Sequence, residues 1–180
     1  MKKYLWTLAV LLIVVIVGSL YKVYVVDKRT SDEAPVVEDY RNATYRIAGQ
    51  DVKLVDGISV MQGGMGSSDI TTTRIFGNGV VGDFDGDGKQ DSAFLMTQNN
   101  GGSGIFYIVV AALAVDRGGT HTTQPYLLGD RIAPQSTEYR DGSLIVNYAV
   151  RRDGEPFSVL PSVGTSVLLK VQDGKLVKTN

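Results

Sequence analysis

The sequence predicts an all-β domain, a single β-sandwich or partly open barrel, behind one N-terminal transmembrane helix. Three observations carry that expectation. The 180 residues include 21 glycines and frequent Val and Thr, a composition suited to pleated strands and tight turns. No long segment of the C-terminal bulk repeats its apolar positions at helical spacing. Short apolar runs are instead punctuated by Asp-Gly pairs at 56–57, 141–142 and 173–174, the dipeptide that two-residue hairpins favour because both residues tolerate positive φ.

From the N-terminus, Met1-Lys2-Lys3 precedes an uncharged run over residues 4–21, dominated by Leu, Val and Ile. At helical rise that run reaches about 27 Å, close to the thickness of a hydrocarbon core. A secretory signal peptide is the competing reading, with Val17-Gly18-Ser19 as a small-residue cleavage site. Apolar character resumes at Val23-Tyr24-Val25-Val26, which favours a retained anchor over residues 1–26. The chain has no cysteine, so a lipoprotein anchor is excluded. Residues 27–43 contain Ser31-Asp32-Glu33-Ala34-Pro35, alternate in charge and read as a linker.

Residues 44–180 suffice for one domain with a proper core. Tyr45-Arg46-Ile47, residues 52–55 and residues 58–61 read as short strands separated by turns. Residues 71–76 alternate weakly and lead into a second apolar stretch, Gly79-Val80-Val81-Gly82. Residues 105–115 are nearly continuous in apolar side chains, as expected of a central strand covered on both faces or of a short buried helix. Their Ile, Phe, Tyr and paired Val favour the strand. Towards the C-terminus, residues 143–150, 167–171 and 176–178 complete the set, the last two flanking Asp173-Gly174.

The chemistry-bearing segment is Asp83-Phe84-Asp85-Gly86-Asp87-Gly88-Lys89-Gln90-Asp91. Four carboxylates at near-alternating positions repel one another unless a counter-ion sits between them. Calcium takes six to eight oxygens in flexible geometry. Counting Asp83 as first, Asp83, Asp85 and Asp87 fill positions 1, 3 and 5, whose side-chain oxygens serve as ligands. Position 7 contributes a main-chain carbonyl, so Lys89 is compatible there, and Asp91 stands ninth. The expected metal site is therefore Asp83, Asp85, Asp87, Lys89 and Asp91, with calcium as the cofactor. Position 12 is Phe94 rather than a bidentate Glu, and the flanks read as strands, so the segment is not an EF-hand. Magnesium suits it less, since it demands near-octahedral geometry and keeps several waters.

Residues 76–95, with the DxDxDGxxD loop between two apolar stretches, resemble the strand-loop-strand calcium motif of FG-GAP and VCBS-type repeats. That resemblance implies a calcium loop between adjacent strands, in families that are usually extracellular. The motif occurs once, whereas a propeller repeats its blade, so the likeness extends to the ion and not to a propeller.

Other chemistries fare poorly. Net charge is −1 without a basic stripe, which excludes nucleic acid as a partner. The one histidine, His121, lies in a Thr-rich segment and reads as an exposed strand residue; no Gly-x-Ser-x-Gly elbow accompanies it. The loop at 99–104 lacks the Lys-Ser/Thr ending of a phosphate cradle. Asp130, Asp141, Asp153 and Glu155 are the carboxylates a glycosidase would draw on. Arg131, Arg151 and Arg152 form either an anion-binding patch or salt-bridged loop ends. Lys2 and Lys3 favour a cytoplasmic N-terminus, although Lys22, Lys28 and Arg29 weaken the bias. A weak calcium site works where calcium is plentiful, which puts the C-terminal bulk in the periplasm or outside the cell. The expectation is a single-pass, membrane-tethered calcium-binding β domain that binds or scaffolds an envelope protein or glycan. The alternative is an envelope hydrolase acting on glycan or peptide.

Overall fold

A computed structural model of the protein describes residues 40–63, 69–116 and 119–179. The anchor expected over residues 1–26 and most of the linker lie outside the described residues. No helix among the described residues is long and apolar enough to cross a membrane. Those residues are all-β, as the glycine-rich, Val- and Thr-rich composition predicts, and one sheet curls into half a barrel.

The larger sheet runs β3 (Ile58–Gln62), β4 (Ile70–Gly82), β5 (Asp91–Asn99), β6 (Phe106–Ala114), all antiparallel. Two short strands share the outer edge of β6: β7 (Thr120–Thr122) pairs with its end and β8 (Tyr126–Asp130) with its beginning. Thr123, between them, accepts the Ala111 N–H on its hydroxyl and donates its own N–H to the Ala111 carbonyl. The smaller sheet is a meander of β9 (Ala133–Arg140), β10 (Ser143–Val150), β11 (Val163–Gln172) and β12 (Lys175–Thr179). A separate hairpin, β1 (Thr44–Ile47) with β2 (Gln50–Lys53), completes the described strands.

Strands β5 and β6 explain the long apolar run. Ala93, Leu95, Val109, Ala111 and Leu113 face one core, shared with Leu144, Val146, Val167 and Leu169 of the smaller sheet. Phe94, Met96, Ile108, Val110 and Ala112 face a second core, roofed by Tyr45, Ile47, Val52 and Leu54 of the hairpin. Side chains alternate across a strand, so two covered faces require apolar residues at every position. Phe94 is fully buried in the second core with Tyr40 and Tyr45 against its ring, at centroid distances of 4.7 and 5.8 Å. Burying a side chain of that size stabilises the fold by roughly 2–3 kcal/mol.

The turns follow the dipeptides. Asp56-Gly57, Asp141-Gly142 and Asp173-Gly174 all place both residues at positive φ, and Ala48-Gly49 does the same between β1 and β2. Residues 40–43, at the end of the expected linker, are tied to the domain. The Tyr40 carbonyl accepts the Tyr45 hydroxyl, Arg41 and Ala43 carbonyls accept main-chain N–H groups, and the Asn42 side chain accepts the Asp56 N–H.

Candidate metal site

The chain leaves β4 at Gly82, turns through residues 83–90 and enters β5 at Asp91. Its own carboxylates wind it. Asp83 accepts the Gly86 N–H on Oδ1 at 2.7 Å and the Gly88 N–H on Oδ2 at 3.0 Å. Asp85 accepts the Asp87 N–H, and Asp87 accepts the Lys89 N–H. The bonds that span two or three residues are intrinsic to Asp-rich turns, and the Asp83–Gly88 bond, spanning five, closes the curl. Gly86 and Gly88 sit at φ +83° and +85°, a conformation that the tight curl requires and that residues with a Cβ resist.

Asp91 anchors the loop from beneath. It is fully buried, and its two oxygens accept the Phe84 and Ala114 N–H groups at 2.8 Å each. One side chain thereby joins the loop entry to the end of β6. Burial pushes its carboxyl above the ordinary aspartate range. The two N–H bonds oppose that shift, and the like charges of Asp85 and Asp87 add to it.

Carboxylate oxygens of Asp83, Asp85 and Asp91 lie within 4.8 Å of one another. This group has the oxygens and the charge to hold a metal ion, although exposed acidic residues also cluster without one. Asp87 is not part of it. Its carboxylate takes the Lys89 ammonium, which also lies 3.3 Å from Asp116. The pairing holds Asp87 below the usual carboxylate range and pushes Lys89 up, first through the hydrogen bond between them. Phe94, at the position where an EF-hand carries its last ligand, is committed to the second core.

Two contributors lie far away in sequence. Tyr139 of β9 donates its hydroxyl to the Asp83 carbonyl at 2.8 Å and sets its ring edge-on to Phe84, centroids 5.0 Å apart. A Cβ on Gly82 would meet that ring at 2.6 Å, so the glycine makes room for the tyrosine. Asp116, just beyond β6, supplies the second carboxylate for Lys89. No local pattern announces either residue, because Asp116 reaches the loop through the pairing of β6 with β5 and Tyr139 through the packing of the other sheet.

Several of the remaining sequence candidates are occupied structurally, whereas Asp141 and Asp153 are exposed. Asn99 closes the 99–104 loop by donating to the Gly102 and Gly104 carbonyls and accepting the Gly101 N–H. Arg131 grips Asp130 and lies over the Phe157 ring at 3.5 Å. Arg151 donates to the carbonyls of Arg131, Phe157 and Val159, and Arg152 pairs with Glu155. These arginines are loop staples. His121 is exposed on β7. No family model matches the chain, and neither does any curated protein or solved structure.

Proposed function

We propose that the chain is a membrane-tethered, extracytoplasmic β domain in which the 83–91 loop binds calcium as a structural clip, and that its role is to bind or scaffold an envelope protein or glycan. The observation that carries the ion is the convergence of Asp83, Asp85 and Asp91 oxygens within 4.8 Å on a turn already closed by their own hydrogen bonds. A divalent cation there offsets the mutual repulsion and the cost of the buried Asp91 charge. Asp87 and the Lys89 carbonyl are the further oxygens of the sequence pattern. The likeness to FG-GAP and VCBS-type loops supports calcium over magnesium, and the apolar N-terminus supports the tether.

Thermal melting of the full-length chain in detergent, with calcium, magnesium or chelator, tests this reading. Calcium is expected to raise the melting temperature, since a ligand at one hundred times its Kd adds about 2.7 kcal/mol. Asp85→Asn keeps the acceptor for the Asp87 N–H and removes the charge, so it should abolish most of that shift. A melting temperature indifferent to calcium would sink the metal claim.

A further inference from the structure

The two sheets meet along a seam between β4 and β9. At the acidic end, Tyr139 over Gly82 closes it. Further along, it opens into a cavity of about 330 Å³ whose floor is Leu95 and whose walls include Phe76, Asn78, Pro134, Gln135 and Thr137. Both walls break their strand ladders at this place. On β4 the pairing jumps from Phe76–Leu95 to Val80–Ala93, and on β9 it slips between Pro134 and Ser136. Bulges of this kind re-aim side chains and collect beside binding sites.

The geometry points to a saccharide-binding cleft in this seam, selective for a sugar that carries a carboxylate. An added peptide strand fits poorly, because Pro134 has no N–H and neither bulged edge offers a straight ladder. What the walls do offer is the amides of Asn78 and Gln135 and the hydroxyl of Thr137, which both donate and accept as sugar hydroxyls require. The Phe76 ring is 40 % exposed and held edge-on by Tyr107 at 5.3 Å, giving a fixed apolar surface for a sugar face. Two residues back along the same face, Arg74 stands opposite Thr97 and lines a second cavity of about 310 Å³. Arg74 is exposed and makes no ion pair among the described residues, and neither cavity is lined by a carboxylate. A guanidinium in that position matches a uronate carboxylate in charge and planar shape. Each volume is near the lower end of small-ligand sites, enough for a short oligosaccharide segment.

This assignment rests on the binding-module reading but not on the cation, so its test is run in chelator. Isothermal titration of the full-length chain in detergent uses tetragalacturonate, with maltotetraose and tetraglutamate as comparators. Saturable binding of tetragalacturonate is expected, stronger than that of either comparator. Arg74→Gln should weaken it about tenfold, the scale of one charge-assisted bidentate pair. Phe76→Ser should weaken tetragalacturonate and maltotetraose together. Arg46→Gln, which removes the same charge from the β1–β2 hairpin, should bind like the wild type, and melting curves confirm that each variant is folded. Absence of saturable tetragalacturonate binding overturns the proposal, as does wild-type binding by both folded Arg74→Gln and Phe76→Ser. Equal binding of tetraglutamate would reassign the cleft to acidic peptides.

Discussion

The loops at residues 83–90 and 151–162 emerge from opposite ends of the paired strands and are held by opposite charges. Ser143 begins β10 beside Arg140, the neighbour of the loop-bracing Tyr139, whereas Val150 ends β10 opposite Val163. In the first loop, carboxylates accept main-chain N–H groups. In the second, the Arg151 guanidinium donates to three main-chain carbonyls. Either charge satisfies a long turn that lacks regular structure. What remains afterwards differs. The acidic loop is left with converging oxygens that a cation can share. The arginine loop is left with outward apolar side chains, Leu160 at 82 % exposure among them. A staple made of arginine uses up its charge on neutral carbonyls; one made of several aspartates keeps adding charge of the same sign.

The largest test of that contrast is Asp91→Ala, which strips two buried N–H groups of their acceptor. Urea denaturation should show a loss of about 2–5 kcal/mol. A loss below 1 kcal/mol would mean that Asp91 is not the anchor of the acidic loop. Next comes Arg151→Ala at the other end, expected to cost about 1.5–3 kcal/mol while leaving the calcium response intact. Arg151→Lys should not rescue it, because an ammonium lacks the planar fork that reaches three carbonyls. If Arg151→Ala also erased the calcium shift, the two ends would be coupled rather than independent.

Gly82→Ala should destabilise by about 1–3 kcal/mol through collision with the Tyr139 ring. Tyr139→Phe, which loses only the bond to the Asp83 carbonyl, should cost about 1 kcal/mol. Chelator-treated protein of both variants, compared by amide exchange across residues 83–91, would show whether Tyr139 braces the loop or merely covers it.

The smallest effect separates two aspartates by sign. Asp91 is pushed up by burial, so in chelator its contribution to stability falls as pH rises from about 4 through its folded pKa. Asp130 is held down by the Arg131 guanidinium, so its contribution is present above about 4 and is lost as pH falls through its folded pKa. Carboxyl carbon shifts followed by NMR should place the Asp91 midpoint above the ordinary aspartate value and the Asp130 midpoint below it. Midpoints in the reverse order would remove the electrostatic difference between the two ends.

Much of the fold was legible because its causes are local. Asp-Gly at 56–57, 141–142 and 173–174 marks hairpins through the φ angles those residues accept. The unbroken apolar run after residue 105 signals a strand covered twice, and β6 is such a strand. Strands β8 and β9 were not legible. Pro134, Gln135, Ser136 and Glu138 give β9 little apolar alternation, since it is an edge strand with a bulge and a wet outer face. Ala48-Gly49 carries no such mark, because Ala rarely takes the first place of such a turn.

Within the candidate metal site the division is the same. Spacing along the chain sets the curl of residues 83–90, since Asp83, Asp85 and Asp87 accept backbone N–H groups a few residues ahead and Gly86 and Gly88 relax the turn between them. Which carboxylates converge depends on contacts between strands. Asp91 is drawn inward because β6 presents the Ala114 N–H, Asp87 is taken by the Lys89 ammonium that it shares with Asp116, and Tyr139 arrives on a strand from the other sheet. Local bonds depend on spacing along the chain, whereas these partners meet only after non-adjacent strands have paired and buried their faces.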